Sequence, residues 1–479
     1  MKRVLGACVL GLLVAGCGSD DSASSNAASG DDASATGDDV TTGGDGGTDG
    51  VSPSDGSHGG DAGGDGATES GPPPCGTDPW LTYGHDPQRT SATDACIAGA
   101  LTVAFKYVPA PPTGKNVNGV YTAIAQGDAA FVQWASQNDP YLGTTAVDRV
   151  DATGKRAWTW NSGTDSNLGN WPSVAFGQVL VNEDGLYFLD PMTGKQTHSN
   201  GVDNWGFTAF DAQRIYAVNS SHVDGPGLYV GAYDATEKQL WAKSTYGMCR
   251  IDAADSAAGM AVSGTTLFYA PLYTAGTGVT LPFASGVYAF DGATGTQTWF
   301  QATSPASTLS VGGGLVYLVE TQSGGMQKLV ARKQSDGTVA WTADIMAASA
   351  QAPVLAMGLV VTATSTDVVA FDAATGKPAW STMLQGASTT LGTIDFSGGC
   401  VTGTVAQSSH PMTAIAAALG SSTLVVTAYD GFHVLRLADG SSVWSGKPAG
   451  MTGAAFNPVL VGKRVFVEDG MALYALDAP

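Results

Sequence analysis

One short phrase recurs seven times along this 479-residue chain and constrains its fold more than any other feature. An apolar segment leads into Asp, a Thr-Gly or Asp-Gly turn follows, and Trp stands four residues after the Gly, as in residues 151–158. Successive turns are 40, 43, 58, 42, 39 and 64 residues apart. A period near 40 residues with short β-type segments is typical of propeller blades rather than of a helical solenoid. The Trp position holds Trp158, Trp241, Trp299, Trp341, Trp380 and Trp444, with His198 in the second repeat.

Each period contains further apolar strands before the recurring phrase. Residues 172–181 form one example, in which two apolar runs flank a turn centred on Gly177. Acidic turns such as Asp430-Gly431 follow, and Asp-Gly between apolar runs is a strong hairpin signal because Gly tolerates the positive φ that the turn requires. Each period is therefore predicted to be a four-stranded antiparallel blade.

The two ends of the repeat region carry incomplete blades. Residues 101–107 read as an outer strand with Phe105 near the Trp position, and they lack preceding inner strands. Residues 457–477 supply three strands and lack an outer one. We expect these parts to pair and to close the ring, which leaves only short exposed edges. The prediction is an all-β fold, an eight-bladed β-propeller of four-stranded antiparallel blades closed by N- and C-terminal strands.

The phrase resembles that of the PQQ-like (quinoprotein alcohol dehydrogenase-like) repeat family, apolar-x-apolar-Asp-x-x-Thr-Gly-x-x-x-Trp. The resemblance covers nearly all of residues 101–479, and residues 84–90 resemble the short motif that often precedes such repeats. It implies that the repeat Trp packs against the turn of the neighbouring blade and docks the blades together. His198 and Glu237 depart from the phrase, which puts the docking of their blades in doubt.

The N-terminus has the pattern of an export signal. Lys2 and Arg3 precede an apolar run from Val4 to Val14, too short to span a bilayer as a helix. The stretch from Leu13 to Cys17 resembles the lipobox of bacterial lipoproteins, in which the signal is cut before a Cys that then carries acyl chains. We interpret residues 1–16 as a lipoprotein signal peptide and Cys17 as the lipidation site. The alternative is an ordinary secretory signal in which Cys17 is incidental.

Residues 17–74 are rich in Gly, Ser, Asp, Ala and Thr and contain twelve acidic residues and no Lys or Arg. Such a segment buries too little apolar surface to offset its chain entropy, and its charge extends it. We predict an acidic disordered tether followed by the propeller over residues 75–479. The formal net charge of the whole chain is −21, so nucleic acid is not an expected partner, since phosphate binding needs clustered Lys and Arg.

Four cysteines remain in the predicted folded part. Cys75 and Cys96 flank a segment without repeat character, so a local disulfide is predicted there. Cys249 and Cys400 would then pair across a long stretch of chain, bracing the loops in which they lie. A zinc site is the rival interpretation, although the Cys-x-x-Cys spacing is missing.

Sequence insertions concentrate on one face of the predicted ring, the face that carries the acidic turns and the links between blades. Long loops on a rigid scaffold are where binding usually resides, and aromatic residues are enriched at protein interfaces. The alternative is that these aromatic side chains pack the loops onto the ring. The candidate binding face comprises Trp134, Trp171, Trp205, Tyr246 and Tyr273.

The family resemblance also raises an enzyme interpretation, in which a quinone cofactor oxidises alcohols or sugars. Those enzymes typically show a vicinal Cys-Cys pair, acidic and amide calcium ligands and an Asp base, and this chain has no Cys-Cys pair. The motifs of serine hydrolases, zinc proteases and phosphate-binding loops are also missing from the sequence. We therefore predict no catalytic residue, no cofactor and no metal.

These features together favour a lipid-anchored cell-envelope propeller that binds another envelope protein without catalysis, as a monomeric ring. An outer-membrane assembly lipoprotein family resembles it in architecture. Gly18 after Cys17 favours the outer membrane, because Asp there is the inner-membrane retention signal of enteric bacteria. The alternatives are a small-ligand or glycan receptor, or a PQQ-dependent dehydrogenase-like enzyme.

Overall fold

The strands of the repeat region assemble into eight four-stranded antiparallel sheets and one separate two-stranded hairpin, as a computed structural model shows. All described residues fall in the compact unit that spans residues 67–479. The structure describes residues 75–139, 142–163, 172–182, 185–200, 208–219, 229–236, 238–244, 259–270, 285–346, 351–364, 366–384, 392–398, 401–407, 414–428, 430–451 and 454–479.

Two strands precede the first complete blade, and four blades of four strands follow them. The leading strands are β1 (Ala92–Thr93) and β2 (Thr102–Tyr107). Blade 1 contains β3 (Asn116–Gln126), β4 (Ala129–Asp139), β5 (Leu142–Val150) and β6 (Arg156–Asn161). Blade 2 contains β7 (Ser173–Ala175), β8 (Gln178–Asn182), β9 (Leu186–Leu189) and β10 (Gln196–Asn200). Blade 3 contains β11 (Ala209–Phe210), β12 (Ile215–Asn219), β13 (Tyr229–Tyr233) and β14 (Gln239–Ser244). Blade 4 contains β15 (Gly259–Ser263), β16 (Thr266–Ala270), β17 (Gly286–Asp291) and β18 (Gln297–Ala302).

The second half of the ring repeats this order and adds one hairpin. Blade 5 contains β19 (Ser310–Gly312), β20 (Leu315–Thr321), β21 (Gln327–Lys333) and β22 (Val339–Ile345). Blade 6 contains β23 (Val354–Ala356), β24 (Leu359–Ala363), β25 (Asp367–Asp372) and β26 (Pro378–Met383). A separate hairpin of β27 (Gly392–Gly398) and β28 (Val401–Gln407) follows. Blade 7 contains β29 (Ala414–Ala418), β30 (Thr423–Ala428), β31 (Gly431–Arg436) and β32 (Ser442–Gly446), with a 3₁₀ turn at Leu419–Ser421. Blade 8 contains β33 (Phe456–Val461), β34 (Arg464–Glu468) and β35 (Leu473–Asp477).

The ring closes through strands from both ends of the repeat region. β2 pairs antiparallel with β35 and completes blade 8 as its outer strand, with Thr102 opposite Asp477 and Tyr107 opposite Leu473. The prediction of an all-β, eight-bladed propeller closed by N- and C-terminal strands is confirmed. Apolar side chains of all eight blades are buried between neighbouring sheets, which places the core in the seams between blades.

The recurring Asp of the sequence phrase shapes the turn before each outer strand. Asp372 shows the pattern, because its Oδ1 accepts bonds from the backbone N–H and the hydroxyl of Thr375 at 2.8 and 2.6 Å. These hydrogen bonds lower the pKa of the Asp372 carboxyl. The following Gly376 has a φ of +69°, which a side chain disfavours. The Asp and Thr therefore hold the turn in place while the Gly supplies its backbone conformation.

The turns divide the propeller into two ends. The turns between the first two strands and between the last two strands of each blade lie at one end, which we call the Gly-turn end. The remaining turns and the links between blades lie at the other, which we call the loop-bearing end. The insertions predicted from the sequence belong to the loop-bearing end, and much of them lies outside the described residues.

Candidate functional site

The segment before the ring, residues 80–97, forms the centre of the molecule, and we call it the hub segment. β1, within this segment, pairs parallel with the innermost strand of blade 7 and becomes a fifth strand there. The innermost strands of a propeller line its central channel, so a strand added inside one of them lies in that channel. The hub segment therefore fills the axis of the ring.

The hub segment forms hydrogen bonds with all eight blades. Its backbone carbonyls accept backbone N–H groups from the inner strands of six blades, at 2.7 to 3.0 Å. These bonds are Trp80 to Ala125, Leu81 to Val174, Pro87 to Val262, Gln88 to Val311, Thr90 to Leu355 and Ser91 to Ala417. In blade 8, the N–H of Cys96 donates to the carbonyl of Gly462 at 2.7 Å. The hydrogen bond to blade 3 comes from the side chain of Arg89 rather than from the backbone.

Arg89 is the buried cation of the hub segment, with 2% of its side chain exposed. Its Nη2 donates to the Thr208 carbonyl at 2.7 Å and its Nε to the Met260 carbonyl at 2.8 Å. Its Nη1 donates to the Thr82 hydroxyl and to the Tyr83 carbonyl. Burial lowers the pKa of Arg89 to about 10, so the guanidinium is charged at neutral pH. Since its donors are already bonded to the protein, Arg89 ties blades 3 and 4 to the hub segment.

A disulfide links Cys96, near the end of the hub segment, to Cys75, which precedes the segment, with the two Cα atoms 5.2 Å apart. Cys17, Cys249 and Cys400, to which the sequence assigned lipidation and a second bridge, lie outside the described residues.

The repeat Trp side chains lie in the seams between blades. Trp341 donates its Nε1–H to the Ala373 carbonyl in the turn of the next blade at 2.9 Å, and its ring covers Gly376. A Cβ built on Gly376 would lie 2.5 Å from that ring, so only Gly fits. The same donation joins Trp158 to Pro191, Trp241 to Gly292, Trp299 to Gln334 and Trp380 to Leu437. Trp444 packs against the large core cluster that includes residues of blade 8. In blade 8 the last two strands, β35 and β2, come from opposite ends of the repeat region, so no turn joins them.

His198 takes the Trp place at the next seam by a different contact. Its ring stacks on Phe188 with centroids 4.1 Å apart, and its Nε2 lies 3.3 Å from the Ala235 carbonyl in the turn of blade 3. Phe105 fills the place in blade 8 and covers Gly154. His198 and Phe105 therefore preserve contact between the blades in the place of Trp, and Glu237 lies outside the described residues.

A cavity of about 640 Å³ lies at the Gly-turn end between the hub segment and blades 1 to 4. The hub segment contributes Leu81, Pro87 and Gln88 to its lining. The blades contribute Gln126, Val174, Phe176, Phe210, Asp211 and Val262. Cavities of 300 to 1,000 Å³ with mostly apolar walls and a few polar groups are typical of small-molecule sites. No sequence pattern predicts this cavity, because its walls come together only when the hub segment is seated in the ring.

Two buried carboxyl groups lie near the closure of the ring, one in blade 8 and one in blade 1 at its seam with blade 8. Asp148 of β5 accepts a hydrogen bond from the Tyr107 hydroxyl across the seam. Glu468 of β34 accepts one from the Asn457 amide at 2.6 Å. Burial raises the pKa of Asp148, and it raises the pKa of Glu468 well above its usual value. These two groups favour their protonated forms more than free carboxyl groups do.

The structure corrects one residue of the predicted binding face. Trp134, expected in an exposed loop, lies in β4 with 1% of its side chain exposed and belongs to the main core cluster. Strands β4 and β5, of 11 and 9 residues, continue through most of residues 133–145, which the sequence predicted to be an insertion. Trp171, Trp205, Tyr246 and Tyr273 lie outside the described residues.

Exposed methionines occupy the described part of the loop-bearing end in blades 5 and 6. Met326 follows the second strand of blade 5, Met346 follows its outer strand and Met383 ends the outer strand of blade 6. Their exposed fractions are 66, 70 and 78%. Exposed long apolar side chains are candidates for partner contact, since Met is enriched at interfaces and adapts to irregular surfaces. The binding face predicted from the sequence contains aromatic residues only, so it does not include these three methionines.

The chain does not offer a metal or quinone site in its described part. No three His, Cys, Asp or Glu side chains come together among the described residues. The hub segment also occupies the axis of the ring, and its cation bonds to protein groups. The described residues at the axis therefore do not fit a calcium-bound quinone. In that same part of the chain, no helix is long and apolar enough to cross a membrane.

These observations define the chain as an eight-bladed β-propeller, and its repeat phrase resembles that of the PQQ-like repeats. A family model described as the outer membrane protein assembly factor BamB matches residues 283–395. No curated protein matches the chain.

Solved structures support the fold. BamB from Moraxella catarrhalis superposes with a TM-score of 0.51 at 14% identity, covering 79% of this chain and 100% of that one. The quinohemoprotein alcohol dehydrogenase ADHIIG from Pseudomonas putida HK5 gives 0.54 at 13% identity, covering 84% and 80%. A europium-containing methanol dehydrogenase gives 0.53 at 12% identity, covering 84% and 98%. The neighbours include an assembly factor and dehydrogenases, so the fold alone does not decide between binding and catalysis.

Proposed function

We propose that this protein is a lipid-anchored scaffold of the bacterial cell envelope, which binds another envelope protein through its loop-bearing end and catalyses no reaction. Residues 1–16 serve as the export signal, Cys17 carries the lipid, and residues 17–74 form the tether that projects a monomeric ring. The likeness of residues 283–395 to the BamB model supports binding within the envelope, since that family is named for outer-membrane protein assembly. Gly18 favours the outer membrane as the site of the anchor.

The observation that carries this proposal is the position of Met326, Met346 and Met383. They are highly exposed on adjoining blades at the loop-bearing end, and all three fall within the stretch that matches the BamB model. Each lies at the end of a strand or in a short turn, so the blades fix its backbone. A rigid support with adaptable apolar side chains suits a protein partner. Trp171, Trp205, Tyr246 and Tyr273 extend the proposed surface in neighbouring loops.

Cross-linking in whole cells tests the proposed surface. The full chain is compared with a variant in which Met326, Met346 and Met383 are replaced by Ser. A matched control replaces Met192 and Met357, which are 67% and 63% exposed at the opposite end. We expect an envelope protein to co-purify with the full chain and with the control, and its yield to fall at least fivefold with the triple variant. Equal yields from all three chains, or no specific partner with the full chain, would contradict the proposal.

The anchor is tested separately. Cys17→Ser in the full chain is expected to move the protein from the membrane fraction to the soluble envelope fraction, and labelling with a radioactive fatty acid is expected to be lost. Retention of both label and membrane association by this variant would show that Cys17 is not the lipidation site.

A further inference from the structure

We propose that the cavity between the hub segment and blades 1 to 4, which we call the hub cavity, binds a small uncharged molecule with an apolar body and one hydrogen-bonding group. The hub cavity lies at the Gly-turn end, opposite the surface proposed for protein docking. Its proposal therefore stands or fails independently of the scaffold function.

Backbone hydrogen bonds fix the walls of the hub cavity. The carbonyl of Leu81 accepts the N–H of Val174 at 2.7 Å, and the carbonyl of Pro87 accepts that of Val262 at 2.8 Å. The Cys75–Cys96 disulfide and Arg89 hold the same segment in the axis. A cavity with such walls is formed before a ligand arrives, which lowers the entropy cost of binding.

The lining carries no net charge toward a ligand. Asp211 is the charged residue of the lining, and its Oδ1 accepts the backbone N–H groups of Gln213 and Arg214, both at 2.7 Å. Its Oδ2 accepts the Arg214 guanidinium at 2.9 Å and the Tyr216 hydroxyl at 2.6 Å. The Asp211 charge is thus compensated by its own turn, and a charged ligand would lose water without gaining an ionic partner.

Gln88 and Gln126 are the lining residues whose side chains carry an uncharged amide, and we assign the polar contact with the ligand to them. A side-chain amide both donates and accepts, so it recognises an uncharged amide, carbonyl or hydroxyl group. Around these amides, Leu81, Val174, Phe210 and Val262 supply an apolar wall. This combination favours an apolar or aromatic body with one polar group over a sugar, which needs many hydrogen bonds.

Phe176 gives independent support because its backbone is unfavourable. It stands at the first position of a two-residue turn with a φ of +53°, followed by Gly177 at +71°. Both positive values define the turn type that prefers Asn-Gly, and a bulky residue is an outlier there. Such residues tend to cluster at ligand sites. Phe176 borders the cavity and packs only partly on its neighbours.

Met357-Gly358 supplies a matched control in blade 6. Met357 occupies the same turn position with a φ of +49°, but it is 63% exposed and does not line the cavity. Replacing either residue by Asn relieves the same backbone conformation. Only the replacement of Phe176 alters the proposed site. Comparing the two variants therefore distinguishes an effect on ligand binding from an effect on the stability of the turn.

Three probes of equal size and different charge test the proposal by titration calorimetry on the full chain. They are 2-naphthamide, 2-naphthoate and 2-naphthamidine. We expect 2-naphthamide to bind one site per chain with a Kd of about 0.1–1 mM, a value in line with ligands of this size. The two charged probes are expected to bind at least tenfold more weakly, and maltose is expected not to bind.

Variants then locate the site. Phe176→Asn and Gln88→Leu are each expected to weaken 2-naphthamide binding at least fivefold, whereas Met357→Asn leaves it unchanged. Thermal unfolding confirms that each variant is folded, and Ala212→Trp, at the cavity lining, serves as a second variant that fills the space. The proposal is overturned if no probe binds, if the three probes bind equally, or if neither Phe176→Asn nor Ala212→Trp reduces binding.

Discussion

The guanidinium of Arg89 donates to the carbonyl of Thr208, 119 residues away in sequence, at 2.7 Å, and this contact joins the hub segment to blade 3. Arg89→Met removes it together with the bonds to Met260, Thr82 and Tyr83. Buried carbonyls then lose their donors, so we expect a loss of about 3–5 kcal/mol in the free energy of unfolding.

Chemical denaturation of the full chain measures this loss. Arg436→Met is the control, because Arg436 is exposed and bonds the hydroxyl of Ser441 within its own turn. We expect the control to change stability by about 0.5 kcal/mol or less. A similar effect of both replacements would mean that the hub segment does not depend on Arg89.

Gly376 and Gly358 form a matched pair for testing how blades dock. Both have positive φ values, +69° and +77°, but a Cβ on Gly376 meets the Trp341 ring whereas a Cβ on Gly358 meets nothing within 4 Å. Gly358→Ala is expected to cost about 1 kcal/mol from its backbone alone. Gly376→Ala adds the displacement of Trp341 and is expected to cost about 2–4 kcal/mol. Equal costs in urea denaturation would show that Trp341 contributes nothing specific to docking.

Glu468 predicts a pH dependence of stability. Burial raises its pKa in the folded protein, so the folded state holds this proton more tightly than the unfolded state. The stability contribution is therefore full below pH 4, near the pKa of an unfolded Glu, and is lost as pH rises through the higher folded pKa. Glu468→Gln cannot ionise, and Gln can still accept the Asn457 bond. We expect it to be more stable than the natural chain at pH 8, by about 1–3 kcal/mol, and not at pH 4.

Thermal unfolding between pH 4 and pH 8 measures this difference. Asp344→Asn is a suitable control, since Asp344 is a surface carboxylate with 87% of its side chain exposed. If the two variants show the same dependence of stability on pH, burial of Glu468 does not control the stability of blade 8.

The disulfide gives a prediction about the hub segment. Replacing Cys75 and Cys96 by Ser removes a link over a sequence separation of 21 residues, and the loop entropy restored to the unfolded chain is expected to cost about 3 kcal/mol. Denaturation curves of the double variant and of the natural chain, oxidised and reduced, measure the loss. The reduced natural chain is expected to match the variant, and a variant as stable as the oxidised chain would contradict this account.

The sequence predicted the ring well because each blade is encoded locally. The Asp-Thr-Gly turn before Trp380 forms its bonds within four residues of Asp372, so one period contains the information for one hairpin. The shared blade was predictable as well, since the halves at residues 101–107 and 457–477 lack complementary strands.

The hub segment and its cavity escaped prediction for the opposite reason. Arg89 bonds to groups up to 171 residues away, and no periodicity marks the residues that receive it. The prediction of Trp134 as a loop residue was wrong because its polar neighbours, such as Gln133 and Ser136, are typical of a loop. Both are fully buried in the structure. Arg89 is the one charged residue among residues 88–91, but the sequence does not indicate which groups its side chain would bond.

The closure of blade 8 has a consequence for the order of folding. β2 precedes the complete blades in the chain and β35 follows them, and Thr102 pairs with Asp477. The hub segment likewise needs every blade before its bonds are complete. The first strands of the folded part are therefore among the last elements to reach their final positions, and pairing over such separations is slow. Until β2 and β35 pair, the ring is an open arc whose unpaired edges invite association, and a chain truncated before β35 would remain in that state.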